Sequence, residues 1–223
     1  RQNYTMPVEP QKAVDDIMAV DTNHKVFSSE AKLGGIAIQD MHRVEGALEL
    51  EMFIAMDPPK HDQQRKAVTP AVAPSNLLLL EPTIRERACQ ILDDLPIGEE
   101  FDWVDKVSIE LTTMTLATLF DFPWEERRKL TRWSDVTTAA PETGIVASYE
   151  ARREELIECA MYFKGLWDQR VNEPPKNDLI SIMAHSPATQ DMPFLEFLGN
   201  LLLLIVGGND TTRNSISGGV LAL

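Results

Sequence analysis

Residues 201–213 read LLLLIVGGNDTTR, and this stretch decides the interpretation of the whole chain. The apolar run from Leu201 to Val206 predicts a buried helix, because no polar side chain interrupts it. Gly207 and Gly208 follow directly, and each glycine costs a helix interior about 1 kcal/mol relative to alanine. The helix therefore either ends at these glycines or is locally opened there because a function requires it.

An opened helix would have a specific chemistry. The missing side chains of Gly207 and Gly208 let a flat ligand or a small molecule reach the backbone. The hydroxyl of Thr211 can donate to the carbonyl of Gly207, four residues earlier, which bends and loosens the helix. Asp210 places an acid next to that hydroxyl. The pattern predicts a polar notch in an apolar wall, able to hold oxygen and to pass protons to it.

A plain turn is the competing interpretation of the same residues. Gly, Asn and Asp are common in turns, so Gly207–Asp210 can stop one helix while Thr211 and Thr212 cap the next. A second glycine pair, Gly218–Gly219, is compatible with that interpretation. Helix continuity at position 208 distinguishes the two: a continuous helix favours the notch, and a chain reversal favours the turn.

A second group of polar residues follows the sequence Asp-Pro-Pro at 57–59. His61 and Arg65 are four residues apart, so a helix places them on one face, about 5–6 Å from each other. Two such donors, one of them a fork-shaped guanidinium, suit carboxylates or phosphates. Lys60 and Lys66 make the patch locally basic. The alternative is a solvated helix face without a partner.

Together the two segments resemble the cytochrome P450 family. The family's central helix carries an Ala/Gly-Gly-x-Asp/Glu-Thr motif for oxygen activation, matched here by Gly207–Thr211. An earlier helix carries His/Trp-x-x-x-Arg on the haem propionates, matched by His61 and Arg65. The resemblance covers essentially the whole chain. Residues 56–74 and 207–219 resemble, more narrowly, the soluble bacterial alkane hydroxylases, which oxidise terminal carbons of alkanes and related chains.

This resemblance implies a haem b monooxygenase that inserts one oxygen atom from O2 into a C–H bond of an alkane or fatty-acid-like chain, at the terminal carbon. Electrons would come from NAD(P)H through ferredoxin reductase and ferredoxin. The resemblance assigns catalytic roles to Asp210 and Thr211, the oxygen groove to Gly207 and Gly208, substrate contacts to Leu203, Val206 and Gly207, haem binding to His61 and Arg65, and redox-partner binding to Lys60 and Lys66.

The cysteines depart from the family pattern. The family needs a later Glu-x-x-Arg and a Phe-x-x-Gly-x-x-x-Cys loop, whereas Cys89 and Cys159 both precede the central helix and lie in no such loop. No metal ligand is therefore assigned in this chain. Position 1 is not Met and Leu223 ends inside an apolar helical pattern, which predicts a fragment that is inactive alone. A rival class is a haem-free helical protein that binds an apolar ligand or a partner.

The predicted fold is mainly α with little β: a single partial cytochrome P450 domain over residues 1–223, ending within the long central helix. The loops 34–54 and 139–147 are expected to form channel walls, with Met41, Met52, Phe53 and Ile145 facing a linear substrate unless they are simply core. Apolar spacing predicts helices over 13–26, 59–68, 76–95, 107–120, 125–138, 149–171, 178–183 and from 194 onward, and a short strand at 100–104.

Composition excludes several other classes. The formal net charge of -14 makes nucleic acid a poor partner, because phosphate would be repelled. The apolar run at 201–206 falls short of the roughly 20 residues that span a bilayer. There is no signal region at the start, and the two widely separated cysteines indicate a reducing environment, so a cytoplasmic location is expected.

Overall fold

The structure is a computed structural model that describes residues 10–33, 35–36, 48 and 50–223. Within these ranges the chain forms eight α-helices and no strand: α1 (Pro10–Asp21), α2 (Lys60–Val68), α3 (Pro74–Asp93), α4 (Glu110–Phe120), α5 (Arg128–Thr138), α6 (Tyr149–Val171), α7 (Leu179–His185) and α8 (Phe194–Ala222). Short 3-10 turns lie at Ala31–Leu33, Phe53–Ala55, Thr69–Val72, Trp124–Glu126 and Pro141–Thr143, and Val104–Ile109 is π-helical and runs into α4.

The predicted strand at 100–104 is wrong. The chain is helical from Trp103 onward, because Asp102 begins a helix there. Its carboxylate accepts the backbone N–H of Val104 at 2.8 Å and that of Asp105 at 3.2 Å. An aspartate that satisfies the first free N–H groups stabilises a helix start, and here it outweighs the alternation of apolar residues that suggested a strand.

The other helix boundaries follow the sequence with small shifts. The predicted cap at Asp178 is confirmed, since its side chain accepts the N–H of Ser181 at 2.8 Å. Helix α1 lies three residues earlier than predicted at its start and five at its end. Residues 22–27 form turns instead, closed by the N–H groups of Thr22 and Phe27 on the carbonyls of Met18 and Asn23.

The main core is built around α8. Its residues Leu198, Leu201, Leu202 and Ile205 are fully buried, and α8 contacts α4, α5 and the π-helical segment. Aromatic rings fill the space between α4, α5 and α6, with edge-to-face and tilted packing at centroid distances of 5.1–6.3 Å: Phe120, Phe122, Trp133, Tyr162 and Phe163. The central helix is therefore held by α4, α5 and the π-helical segment.

In the part of the chain that the structure describes, no helix has both the length and the apolar content needed to cross a membrane.

Candidate active site

The central helix is continuous through its glycines. Helix α8 runs without interruption from Phe194 to Ala222, so the interpretation of Gly207–Asp210 as a turn is wrong. The Thr211 hydroxyl donates to the carbonyl of Gly207 at 2.8 Å, as predicted. The loosening expected at the glycines does not amount to a break, because the backbone remains α-helical across both.

One face of α8 around Gly207 is open. A Cβ atom placed on Gly207 would have no neighbour within 4 Å, and the side chain of Thr211 is exposed. Leu203, one turn earlier on the same face, and Val206 beside it are half-buried. This face combines apolar side chains, a bare backbone and a hydroxyl, and its role in holding oxygen stays a prediction.

Gly208 has a different surrounding from its neighbour. A Cβ atom there would lie 2.5 Å from Cδ2 of Leu116, and Leu116 is buried on α4. The absent side chain therefore allows α8 and α4 to approach closely. The structure places Gly208 in helix packing, and only Gly207 of the pair on the open face.

Asp210 points towards α5. Its Oδ1 accepts a hydrogen bond from the Ser134 hydroxyl at 3.3 Å and from Arg213 at 2.8 Å, and Arg213 also binds Asp135 at 3.1 Å. The carboxylate and the Thr211 hydroxyl thus lie next to each other in sequence but have separate partners. About a fifth of the Asp210 side chain remains exposed (21%).

Asn209 is a site residue that the sequence reasoning missed. Its side chain is fully buried, and its Oδ1 accepts the Thr112 hydroxyl at 2.9 Å. Its Nδ2 has no hydrogen-bond partner among the described residues. About two turns further along α8, the hydroxyl of Ser217 lies 2.9 Å from the hydroxyl of Ser108. The sequence held one signal for this contact with α4 and the segment before it: Asn209 is a polar side chain in an otherwise apolar helix.

On α2, His61 and Arg65 share one face, as predicted. Nδ1 of His61 lies 2.8 Å from Oδ1 of Asp62, so the other ring nitrogen is left for a different partner. Arg65 is exposed and its guanidinium makes no ion pair or hydrogen bond with any residue that the structure describes. A free guanidinium beside an imidazole suits a carboxylate-bearing ligand.

The two lysines of this patch differ. Lys66 is exposed and has no ion-pair partner in the described ranges. The ammonium of Lys60 lies 2.6 Å from Oε2 of Glu196 in the first turn of α8. Half of the Lys60 side chain is exposed (50%), but its charge is already paired with a buried carboxylate and is not a free surface charge.

These residues fit haem, judged by their chemistry. The open face of α8 suits a flat apolar ring, and the face of α2 suits two propionates. The axial thiolate has no source here. Cys159 is fully buried in α6, and burial raises the pKa of its thiol well above the ordinary value. Cys89 is exposed on α3. Among the described residues no cluster of His, Cys, Asp and Glu could hold a metal ion.

The predicted channel walls are described only in part. Met41 and most of the loop 34–54 lie outside the described residues. Met52 is half-buried. Phe53 is buried in the main core, where its N–H donates to Oδ1 of Asn200 at 2.7 Å, so the core alternative holds for that residue. Ile145 is 41% exposed.

Known proteins similar to this chain are cytochrome P450s. Linalool 8-monooxygenase from Pseudomonas putida is 33% identical over 93% of this chain and 52% of the relative. Steroid C26-monooxygenase from Mycolicibacterium smegmatis is 30% identical over 93% of this chain and 48% of the relative. No protein-family model matches the chain.

Solved structures give the same result. Cytochrome P450-153 from Novosphingobium aromaticivorans is 46% identical, with a TM-score of 0.79 over 94% of this chain and 52% of that one. CYP153D17 from Sphingomonas sp. PAMC 26605 is also 46% identical, with a TM-score of 0.79 over 91% and 50%. The chain spans about half the length of the curated relatives that it matches. The helical fold, the continuous central helix and these relatives agree that the chain belongs to the cytochrome P450 family.

Proposed function

We propose that this chain supplies the oxygen-activation helix and the propionate-binding helix of a haem-thiolate monooxygenase. The observation that carries the proposal is the uninterrupted helix α8, whose open face holds Gly207 and the Thr211 hydroxyl. Haem, when bound, supplies the activation of dioxygen and the oxidation of a C–H bond. The residues of this chain bind, orient and supply protons.

Arg65 and His61 would hold the haem propionates. The Arg65 guanidinium has no partner among the residues that the structure describes, so it can form two parallel hydrogen bonds to a carboxylate. His61, with Nδ1 on Asp62, presents its remaining nitrogen to the second propionate. Both side chains lie on one face of α2, so the helix delivers them together.

Thr211 and Asp210 would handle protons, Thr211 on the open face and Asp210 on the side of α8 that faces α5. The Thr211 hydroxyl donates to Gly207, which leaves its lone pairs free to accept a hydrogen bond at the bare backbone. Asp210 is anchored by Arg213 and Ser134 and keeps an exposed edge. That arrangement suits a carboxylate that takes up protons from solvent and passes them along α8.

The substrate would be an alkane or a fatty-acid-like chain, attacked at its terminal carbon. Leu203 and Val206 offer an apolar surface without a charge beside Gly207, which selects against polar groups near the reaction centre. The 46% identity with cytochrome P450-153 supports the narrower resemblance. Relatives named for linalool and for a steroid also point to hydrophobic substrates.

Electrons would reach the haem from NAD(P)H through a ferredoxin and its reductase. An acidic donor would find positive charge at Lys66, which has no ion-pair partner among the described residues, whereas the charge of Lys60 is already paired with Glu196. We also propose a cytoplasmic location, since both described cysteines are free thiols and a reducing compartment keeps them so.

The test uses the full-length protein, expressed from its complete coding sequence. The reduced protein with carbon monoxide should show the thiolate-type absorbance band, and turnover with a ferredoxin system should give terminal alcohols from alkanes or fatty acids. A complete protein without that band would contradict the proposed function. A normal band with attack only within the chain would overturn the terminal position alone.

A further inference from the structure

A buried polar network joins the propionate-binding helix to the central helix. Glu196 and Asn200 on α8 and Gln64 on α2 are almost fully buried, at 3%, 1% and 2% exposure. Oε2 of Glu196 accepts the Lys60 ammonium at 2.6 Å, and its Oε1 accepts the Gln64 amide. Asn200 Nδ2 donates to Oε1 of Gln64 at 2.9 Å.

We infer that Glu196 and Asn200 are positioning residues that fix the register of α2 on α8, and through it the placement of His61 and Arg65 for haem. This inference rests on the proposed function. None of the network residues is assigned to haem, substrate or protons in that proposal.

The geometry of the network specifies one register. Lys60 and Gln64 are four residues apart on α2, and Glu196 and Asn200 are four residues apart on α8, so each pair lies on one face of its helix. A slip of α2 by one residue would remove the partners of a buried carboxylate and a buried amide together. Unpaired buried polar groups are costly, so that slip is strongly disfavoured.

The network also sets which face of α2 is presented outward. His61 and Arg65 each follow a network residue by one position, so they lie about 100° around the helix from the Lys60–Gln64 face. Fixing that face against α8 therefore fixes the direction of the imidazole and the guanidinium. Apolar residues of similar volume would pack two helices at least as well, and they would specify the register less.

A second connection leads from Asn200 to His61. Asn200 Oδ1 accepts the N–H of Phe53 at 2.7 Å, and the Phe53 ring lies 6.3 Å from the His61 ring, tilted by 57°. The segment before Phe53 touches the same turn of α8, because a Cβ atom on Gly199 would lie 1.9 Å from the carbonyl oxygen of Glu51. Asn200 thus contacts both α2, through Gln64, and the segment that carries the Phe53 ring beside His61.

The experiment measures haem loss from the full-length, haem-loaded enzyme to an excess of apomyoglobin. Glu196→Gln should accelerate haem loss by roughly tenfold, because the Lys60 ammonium loses its counter-ion and the register loosens. Glu155→Gln is the matched control, since it removes a carboxylate whose partner Arg132 lies on the surface. The control should lose haem at the wild-type rate.

Two combined variants separate positioning from a general loss of stability. If the network acts through Arg65, Glu196→Gln should add little to the haem loss of Arg65→Ala, because coupled residues are non-additive. The exchange Gln64→Glu with Glu196→Gln restores one carboxylate and one amide between the helices, and it should slow haem loss again. Additive effects and no rescue would overturn the inference.

Failure of the inference and failure of the proposed function look different. Wild-type protein that takes up no haem contradicts the function. Wild-type protein that binds haem, with a Glu196→Gln variant that releases it at the wild-type rate, contradicts the positioning role and leaves the function intact. If Glu196→Gln does not fold, the exchange variant decides, because it keeps both polar groups.

Discussion

At the scale of single residues, the two adjacent glycines of α8 have different surroundings and different roles. Gly207 faces open space, while Gly208 lies against Leu116. Consecutive residues of an α-helix point 100° apart, so Gly207 can face a ligand while Gly208 faces the neighbouring helix α4. The sequence predicts that glycines are needed here, but it cannot say which surface each one faces, because that depends on where α4 packs.

The glycine pair gives a matched prediction for stability. Gly208→Ala should lower the free energy of unfolding by about 1–3 kcal/mol relative to Gly207→Ala, since its Cβ atom would overlap Leu116. Gly207→Ala should be neutral or stabilising by up to about 1 kcal/mol, because alanine favours a helix. Urea unfolding of both variants measures the difference. Equal midpoints would contradict the packing role of Gly208.

Thr211 carries the second prediction at this scale. In the full-length enzyme, Thr211→Ala should divert reducing equivalents to hydrogen peroxide while haem content stays normal, because it removes the hydroxyl from the open face of α8. Thr212→Ala is the control, since Thr212 is exposed one residue further round the helix. Peroxide released and product formed per NAD(P)H are the measurements. Unchanged coupling would remove Thr211 from the proposed role.

At the scale of elements, the spacing of apolar residues predicted the helices well. Where that prediction failed, at residues 100–104, an N-cap residue determined the structure. The boundaries of α6, α7 and α8 follow apolar spacing together with Ser148 and Asp178 as N-caps. Asp102 is also a cap, but its neighbours alternate like a strand, and only the hydrogen bonds to Val104 and Asp105 show which tendency prevails. The partners of Asp210 and Asn209 were not predictable, because they lie on α5 and α4.

Helix α2 gives a prediction about haem retention. Arg65→Ala should speed haem loss from the full-length enzyme by roughly tenfold or more, because charge-assisted hydrogen bonds to a propionate are among the stronger polar contacts. Lys66→Ala removes the next positive charge on the same helix and should leave haem retention near wild type. Transfer to apomyoglobin measures both. Equal rates for the two variants would argue that only net charge matters.

At the scale of the whole molecule, the carboxylate of Asp57 connects residues 28–30 to the helical body. Asp57 accepts the Ser28 hydroxyl at 2.6 Å and the Ser29 N–H at 3.1 Å, and its own N–H donates to Glu30 at 3.3 Å. The hydrogen bond from Ser28 lowers the pKa of Asp57 below its ordinary value. Long-range contacts of this kind have no signature in local sequence patterns.

The Asp57 contact should depend on pH. A carboxylate with a lowered folded-state pKa contributes stability that is present above its unfolded pKa and is lost as the pH falls through the folded value. The Ser29 amide should therefore stay protected from hydrogen exchange at neutral pH and lose protection below about pH 4. Asp57→Asn should weaken the protection at pH 7. Full protection in that variant would contradict the role of the charge.

The different surroundings of neighbouring positions on α8 have a consequence for the design of variants of this protein. Position 207 borders open space, and positions 203 and 206 are half-buried, so substitutions there disturb the helix packing less. Positions 208 and 209 are held between helices and tolerate little. Libraries aimed at new substrates should therefore be randomised with the helical period and not along a contiguous run.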